Sequence, residues 1–501
     1  MGPVMTKPKV ALMKNYIGGK WVEAEASGVI DVLNPSTGEA IAQVPLSTKA
    51  ETDRAIAAAA EAYKTWGKTP VARRVQPLFK LAQLLRDDED KLARILVREN
   101  GKSLTDSRAE MKRVFENIEV ACGMPVMQQG DRLIGGSFDM DGEVIRLPMG
   151  VFGMIAPYNF PAMVPFWFLP YAIATGNTFV LKTSKQVPMT MQAIAQYIED
   201  AGVPAGVFNL VNGDAVVADA LMSSPLVRGV SLVGSTPTAR IVAKKCAETN
   251  KRFQAMGGAK NHLVVMPDAK MQGVIRNMTS SCYGCAGQRC MASSAIVAIG
   301  DATYEEVCRK FIEDSKNHLL ANPLDPRYEE EPNLLGPVIS KKAKDTILGL
   351  IEDGIKEGAT LALDGRNVTV EGSEGGYYIG PTVFTDVKPG MKIHKTEIFG
   401  PVVCIMKADS LDEAIKIIND GEYGNGASIY TQNGYYARKF KLEAEAGMIG
   451  VNVGIPAPVA YLPFGGMKAS QWADIKTQGK AIVNFYTQDK IETDRFFAEQ
   501  G

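Results

Sequence analysis

Histidine is scarce in this chain: His262, His318 and His394 are the only three among 501 residues. That scarcity bears on the nearest thing to a metal motif, "CYGCAGQRC" at 282–290, which holds three of the seven cysteines. Tetrahedral zinc takes four ligands. Cys282, Cys285 and Cys290 offer three, and no histidine lies close in sequence; only Cys308 folding back would complete the set. No metal site is expected. The odd, scattered cysteines (Cys122, Cys246, Cys282, Cys285, Cys290, Cys308, Cys404) argue for reduced thiols. Long apolar runs are also missing. No segment supplies ~18 uninterrupted apolar residues for a bilayer, and the N-terminal stretch lacks the apolar core of a secretory signal. An excess of charge of one sign is absent too: the net charge is −1, so neither a nucleic-acid surface nor a basic membrane face is expected. A cytoplasmic protein is expected.

What the chain does have is length and alternation. With 501 residues it exceeds a single core, so two or three domains are expected. "STKAETDRAIAAAAEAYKTW" reads as a helix capped by Ser47, and "VARRVQPLFKLAQLLRDDEDKLARILVRENGK" as two more ending near Gly101. "LTDSRAEMKRVFENIEVACG" is amphipathic, its apolar stripe being Met111, Val114, Phe115, Ile118 and Cys122. Short apolar runs follow, "VFGMIAP", "TFVLKTS", "VFNLV" and "GVSLVG", each leading through turn residues into a helical stretch. Continuous apolar strands separated by helices predict a parallel sheet covered on both faces. That is a doubly wound layout, with ligands outside the carboxyl ends of the strands. A second α/β series comprises "HLVVMP", "SAIVAIG", "VVCIMKA", "GASIYT" and "GMIGVNV". "GDRLIGGSFDMDGEVIRLPM" and "KAIVNFYTQDKIETDRFF" read as β-ribbon arms of the kind that pair with another subunit.

No G-x-G-x-x-G follows a strand. Instead "VSLVGSTPTARIVAKKC" runs a strand into Gly234, Ser235 and Thr236, with Pro237 at a helix start. Free N–H groups there suit a phosphate, although a well-capped helix accounts for the same residues.

Seven motifs stand in order: "APYNFP" (156–161), "FVLKTSK" (179–185), "LVGSTPTAR" (232–240), "MGGAKN" (256–261), "GQRC" (287–290), "EIFGPV" (397–402) and "PFGG" (463–466). Together they resemble the aldehyde dehydrogenase superfamily over nearly the whole chain. "GQRCMA", "GAKNH" and "FYTQ-x-K" narrow the resemblance to the methylmalonate-semialdehyde dehydrogenases, which pass an acyl group to coenzyme A. The resemblance implies an α/β fold of aldehyde dehydrogenase type. It divides into a Rossmann-type dinucleotide-binding domain (10–125 and 148–258), an α/β catalytic domain (259–458) and a β-ribbon oligomerisation arm (126–147 and 475–501). A homo-oligomer, dimer or tetramer, is expected.

The resemblance also assigns residues. Cys290 takes the nucleophile's place, forming a thiohemiacetal and then, after hydride leaves, an acyl thioester. The adjacent Arg289 is expected to help lower its pKa. Asn159 is expected to bind the oxyanion, a donor worth roughly 3 kcal/mol; out of context it is a turn residue before Pro161. Lys182 corresponds to the adenosine-ribose lysine, Gly234 and Ser235 to the pyrophosphate turn, Glu397 to the nicotinamide-ribose carboxylate and Phe399 to the ring packed by the nicotinamide. Lys182 as a strand-end surface lysine and Phe399 as core are the plainer alternatives. Cys282 and Cys285 match no catalytic position and read as small packing residues, with a resolving thiol as the alternative.

Two departures carry information. The usual general-base glutamate, 34 residues before the nucleophile, is Met256 here. Methionine accepts no proton, which favours acyl transfer to a thiol such as coenzyme A over hydrolysis. The glutamate of the usual "KPSE" is Lys185, and an ammonium attracts a 2′-phosphate. NADP is therefore expected to be accepted beside NAD; the alternative is that Lys185 points to solvent.

In the semialdehyde subfamily two arginines grip the substrate carboxylate, and alignment places them at Arg289 and Arg113. By helical periodicity alone Arg113 is a solvated surface residue. The leading expectation is thus a coenzyme A-acylating, NAD(P)-dependent dehydrogenase of an anionic aldehyde, malonate or methylmalonate semialdehyde. The alternatives are a hydrolytic dehydrogenase of another anionic aldehyde and a non-catalytic protein on the same scaffold.

Overall fold

The computed structural model describes residues 10–497. The apolar runs that do not alternate form the parallel core of an eight-stranded sheet. In spatial order these are Phe208–Val211, Thr178–Lys182, Val151–Ile155, Val227–Val233 and Arg252–Met256. The first three and most of the fourth are buried at every position, because helices cover both faces. Antiparallel Asn15–Ile17 and Lys20–Val22 close one edge and Gln471–Trp472 the other. The chain starts this core at Val151–Ile155 and winds outward in both directions, so the switch point lies beside that strand. Ala156, Lys182, Gly234 and Met256 all stand at its carboxyl edge.

A second sheet of seven strands holds the later series. Its order is Thr360–Leu363, Thr382–Thr385, Val402–Ala408, Ser293–Ile299, Asn261–Val265, Gly426–Tyr430 and Met448–Val451. Every pair is parallel except the first.

The third sheet pairs Arg132–Ser137, Met140–Pro148 and Thr487–Arg495 antiparallel. The expected ribbon in the tail starts later than the sequence pattern indicates. Ala481–Tyr486 is a helix, and the strand begins at Thr487. Ile482, Val483, Phe485 and Tyr486 are all buried, which a ribbon with one face in water would not permit. Residues 498–501 of the expected arm lie outside the described residues.

The Lys49–Trp66 helix is capped by Thr48, not Ser47, because Thr48 and Glu51 form a reciprocal capping box. Ser47 instead accepts a hydrogen bond from Asn15 Nδ2 at 2.8 Å. The Leu104–Cys122 helix buries the expected stripe and also Glu110 and Asn117. Among the described residues no helix is long and apolar enough to cross a membrane.

Candidate active site

Cys290 sits just beyond a reversal of the chain. The Met271–Tyr283 helix ends, and Cys285, Ala286 and Gly287 then adopt φ of 51°, 54° and 71°. Gly287 has no room for a side chain, since a Cβ would lie 2.2 Å from Gly400 O. The backbone is held beyond the turn: Cys290 O accepts from Asn261 Nδ2 at 2.8 Å and from Asn425 Nδ2 at 2.9 Å.

The half-buried Cys290 thiol is pushed up to about 12, chiefly by burial and next by the Glu397 carboxylate. Its own N–H, that of Met291 and the Arg289 charge all act in the opposite direction. Arg289 therefore has the expected sign but does not prevail. Its guanidinium is engaged elsewhere, with Nη2 at 2.6 Å from Asp106 Oδ1 and Nε donating to Cys285 Sγ at 3.3 Å. Cys285 and Cys282 are buried, and Cys282 Sγ lies 2.6 Å from Ser293 O.

Asn159 leaves the end of the Val151–Ile155 strand and reaches the same turn, its Nδ2 donating to Gln288 O at 2.9 Å. The segment around it is held from below. Asn100 Nδ2 donates to Tyr158 O at 2.9 Å and Lys102 Nζ to Asn159 O at 2.7 Å. Glu110 Oε1 accepts from the N–H of Ala162 at 2.8 Å and of Met163 at 3.0 Å.

A cavity of about 200 Å³ opens in front of Cys290, lined by Arg113, Arg289 and Asp106 with Phe160, Trp167 and Phe464 among its apolar walls. Arg113 thus borders the cavity despite its place opposite the helix's apolar stripe. Its Nη1 bonds Glu116 Oε2 at 2.6 Å. Met256 is buried within the apolar cluster against which Cys290 packs.

Lys182, Gly234 and Ser235 lie along the first sheet's carboxyl edge, and Glu397 and Phe399 come from the loop that enters the second sheet's Val402–Ala408 strand. Lys182 is buried, donates to Thr183 O at 2.9 Å, and is pushed down to about 8 by burial. Asp214 opposes that shift and the exposed Lys185 adds to it. Gly234 leads into Ser235, the N-cap of the Thr236–Glu248 helix. Ser235 makes no cap bond and instead meets Thr238 Oγ1 at 3.0 Å, leaving the first-turn N–H groups available to an anion. A Cβ on Gly258 would lie 2.7 Å from Glu397 Oε2, so this crevice is kept open by glycine. Burial raises the Glu397 carboxyl to about 7 against the Ala259 N–H and Lys260. Phe399 has φ of 56° and meets Tyr158 edge-on at 5.9 Å. Free helix N–H groups and a recessed lysine at one strand edge, with the Glu397 carboxylate brought against Gly258 from the second sheet's side, fit a dinucleotide.

Several contributors escape sequence reasoning: Asp106, Lys102, Glu110, Asp214 and a buried pair, His262 and His394, whose Nε2 atoms lie 3.0 Å apart. Lys260 Nζ, beside that pair, donates to Ile393 O at 2.7 Å and Thr396 O at 3.1 Å, securing the approach to Glu397.

A thiol and an amide donor converging at the carboxyl edge of a doubly wound sheet define a cysteine-dependent enzyme of the dinucleotide-binding class. The chain matches the aldehyde dehydrogenase family over residues 21–491 and belongs to it. It is 43% identical to malonate-semialdehyde dehydrogenase 1 of Geobacillus kaustophilus, covering 98% of this chain and 99% of that one. It is 44% identical to malonate-semialdehyde dehydrogenase of Bacillus pumilus over 98% of this chain and 100% of the relative. Among solved structures, methylmalonate-semialdehyde dehydrogenase from Oceanimonas doudoroffii superposes with a TM-score of 0.95 at 38% identity, covering 98% and 99% of the two chains. A Sinorhizobium meliloti protein assigned as methylmalonate-semialdehyde dehydrogenase, complexed with NAD, matches with the same score, identity and coverage.

Proposed function

We propose that this chain oxidises a small acidic semialdehyde, malonate or methylmalonate semialdehyde, with NAD and passes the acyl group from Cys290 to coenzyme A. The carrying observation is the grouping of Cys290, Arg289 and Arg113 around one cavity of about 200 Å³, a size suited to a three- or four-carbon aldehyde. The relatives named for malonate and methylmalonate semialdehyde, and the neighbour complexed with NAD, support the substrate and the cofactor. Arg113 and Arg289 attract the substrate carboxylate. Cys290 Sγ, once deprotonated, adds to the aldehyde carbon, and Asn159 Nδ2 with the Cys290 N–H receives the oxyanion. A nicotinamide dinucleotide held by Lys182, Gly234, Ser235, Glu397 and Phe399 would take up the hydride. Met256, which stands where the family's water-activating glutamate would and packs in the apolar cluster that Cys290 joins, cannot activate water, so a thiol acceptor releases the thioester. Loss of the substrate's carboxyl group as carbon dioxide after oxidation gives acetyl- or propionyl-coenzyme A.

One observation favours a second reading, hydrolysis. Glu397, raised to about 7 and acting on the Cys290 thiol, is a carboxylate matched to proton transfer near neutrality. Product analysis in heavy-oxygen water with and without coenzyme A separates the two. Acyl-coenzyme A without label in free acid supports the proposal; rapid labelling of free acid that coenzyme A leaves unchanged overturns it.

The same reading keeps the division into a dinucleotide-binding domain (10–125 and 148–258), a catalytic domain (259–458) and an arm (126–147 and 475–501). Exposed Leu133, Ile134, Phe138 and Ile491 on and beside the three-stranded sheet support burial of that arm in a homodimer or homotetramer. Seven free cysteines support a reducing, cytoplasmic location.

A further inference from the structure

Lys102 and Glu110 form an ion pair at 2.6 Å with both side chains wholly out of solvent. Such a pair is an unusual choice for stability alone, because desolvating two charges costs several kcal/mol and apolar residues of similar volume often serve as well. Where the remaining bonding capacity goes is therefore informative. Lys102 Nζ donates to Asn159 O at 2.7 Å and lies 4.1 Å from the centre of the Phe160 ring. Glu110 Oε2 takes the lysine, and Oε1 takes the N–H groups of Ala162 and Met163 at 2.8 and 3.0 Å. Beyond the pair itself, every one of these contacts goes to residues 159–163, the segment that presents the Asn159 side chain to the nucleophile's turn.

We propose that Lys102 and Glu110 are positioning residues for Asn159, fixing where its amide meets the oxyanion. The inference rests on the reading of Asn159 as the oxyanion donor. A donor contributes only if held at 2.7–3.1 Å from where the oxyanion forms. Asn159 Nδ2 has one hydrogen committed to Gln288 O, so only the other is free. Its aim depends on the backbone at 158–160, and the lysine bonds that backbone directly. The pair thus sets the donor's position through the backbone of the segment, with both charged groups out of solvent although Glu110 borders the cavity.

The test is a double-mutant cycle. Lys102→Met/Glu110→Leu removes the pair without leaving a lone buried charge. Lys102→Met/Glu110→Gln keeps an acceptor for the Ala162 and Met163 N–H groups and serves if the first variant fails to fold. The readout is the single-turnover rate of NADH formation at saturating substrate, with the cofactor KM measured alongside. The Leu variant is expected to slow NADH formation at least 30-fold with the cofactor KM changed less than threefold. The Gln variant should recover at least a third of that loss on a logarithmic scale. In an Asn159→Ala background, either pair change should cost less than threefold further, because the group acted upon is gone. Equal losses in the two backgrounds would show general structural support and overturn the proposal. If Asn159→Ala alone leaves the rate unchanged, the oxyanion reading fails and the positioning role with it. A slow Asn159→Ala enzyme with multiplicative pair effects overturns the positioning role alone.

Discussion

Asp106 Oδ1 and Arg289 Nη2 stand 2.6 Å apart, so the arginine beside Cys290 enters the reaction already paired with a carboxylate. Burial would raise the Asp106 carboxyl, but Arg289, with Lys102 and the Cys285 N–H, holds it below its ordinary value. The acid stays ionised and fixes one edge of the guanidinium.

This pairing makes the two arginines unequal. Arg289→Ala leaves Asp106 as an uncompensated negative charge in the substrate cavity, whereas Arg113→Ala leaves the more exposed Glu116. For acidic aldehydes the expected rise in KM is ~100-fold at Arg289 and ~10-fold at Arg113. A neutral aldehyde of similar size should change less than threefold. Steady-state kinetics on the two aldehydes decides, and unchanged discrimination in both variants sinks the clamp.

Cofactor choice turns on Lys185, exposed yet close enough to Lys182 to depress its pKa. NADP is expected to be accepted beside NAD. Lys185→Glu should cut kcat/KM for NADP at least ~10-fold relative to NAD, since a carboxylate repels the 2′-phosphate. A wild-type preference for NAD of tenfold or more would remove the idea.

Met256 offers a gain-of-function test. Met256→Glu puts a carboxylate at the end of the Arg252–Met256 strand, within the apolar cluster that Cys290 joins. Free-acid release without coenzyme A should rise ~10-fold or more, at some cost in thermal stability from burying the new group. The measurement is heavy-oxygen uptake into the acid. No increase in a folded variant counts against Met256 as the reason water is a poor acceptor.

Acid stability follows from the buried imidazoles. Burial, with Lys260 and Lys395 nearby, lowers His394 to about 4, and His262 shifts in the same direction. A histidine neutral in the fold but protonated when unfolded contributes stability above its unfolded value of ~6.5. That stability is lost progressively as pH falls from there to about 4. The loss for His394 is roughly 3 kcal/mol. Melting temperatures at pH 7 and 4.5 should converge more closely in His394→Gln than in the parent chain; parallel slopes would refute the assignment.

The parallel strands were legible because both their faces are buried, which leaves runs such as "TFVLK" and "VFGMI" without polar interruption. Cys290 and Asn159 were legible only through motif resemblance, since nothing in a cysteine or an asparagine by itself signals its neighbours. The Leu104–Cys122 helix buries Glu110 and Asn117 as well as its apolar stripe, and Arg113 on its other side borders the cavity while staying partly exposed, as periodicity indicates. The helix's enclosed arc is wider than hydrophobicity alone indicates. Nothing in the sequence marks Lys102 and Glu110 as a pair, because burial of an ion pair depends on what packs over it. His262 and His394 are 132 positions apart, a separation no local pattern bridges. The Ala481–Tyr486 helix was misread because six residues are too few for a 3.6-residue period to declare itself.

The left-handed turn ahead of the thiol sets two neighbouring positions under opposite constraints. Ala286, at φ 54°, carries a methyl group that costs roughly 1 kcal/mol there, so drift to glycine at 286 relieves tension. At Gly287 any methyl would collide with the Gly400 carbonyl at 2.2 Å. Sequence change is open toward a smaller residue at 286 and closed at 287, where the limit is set by Gly400, one residue past Phe399.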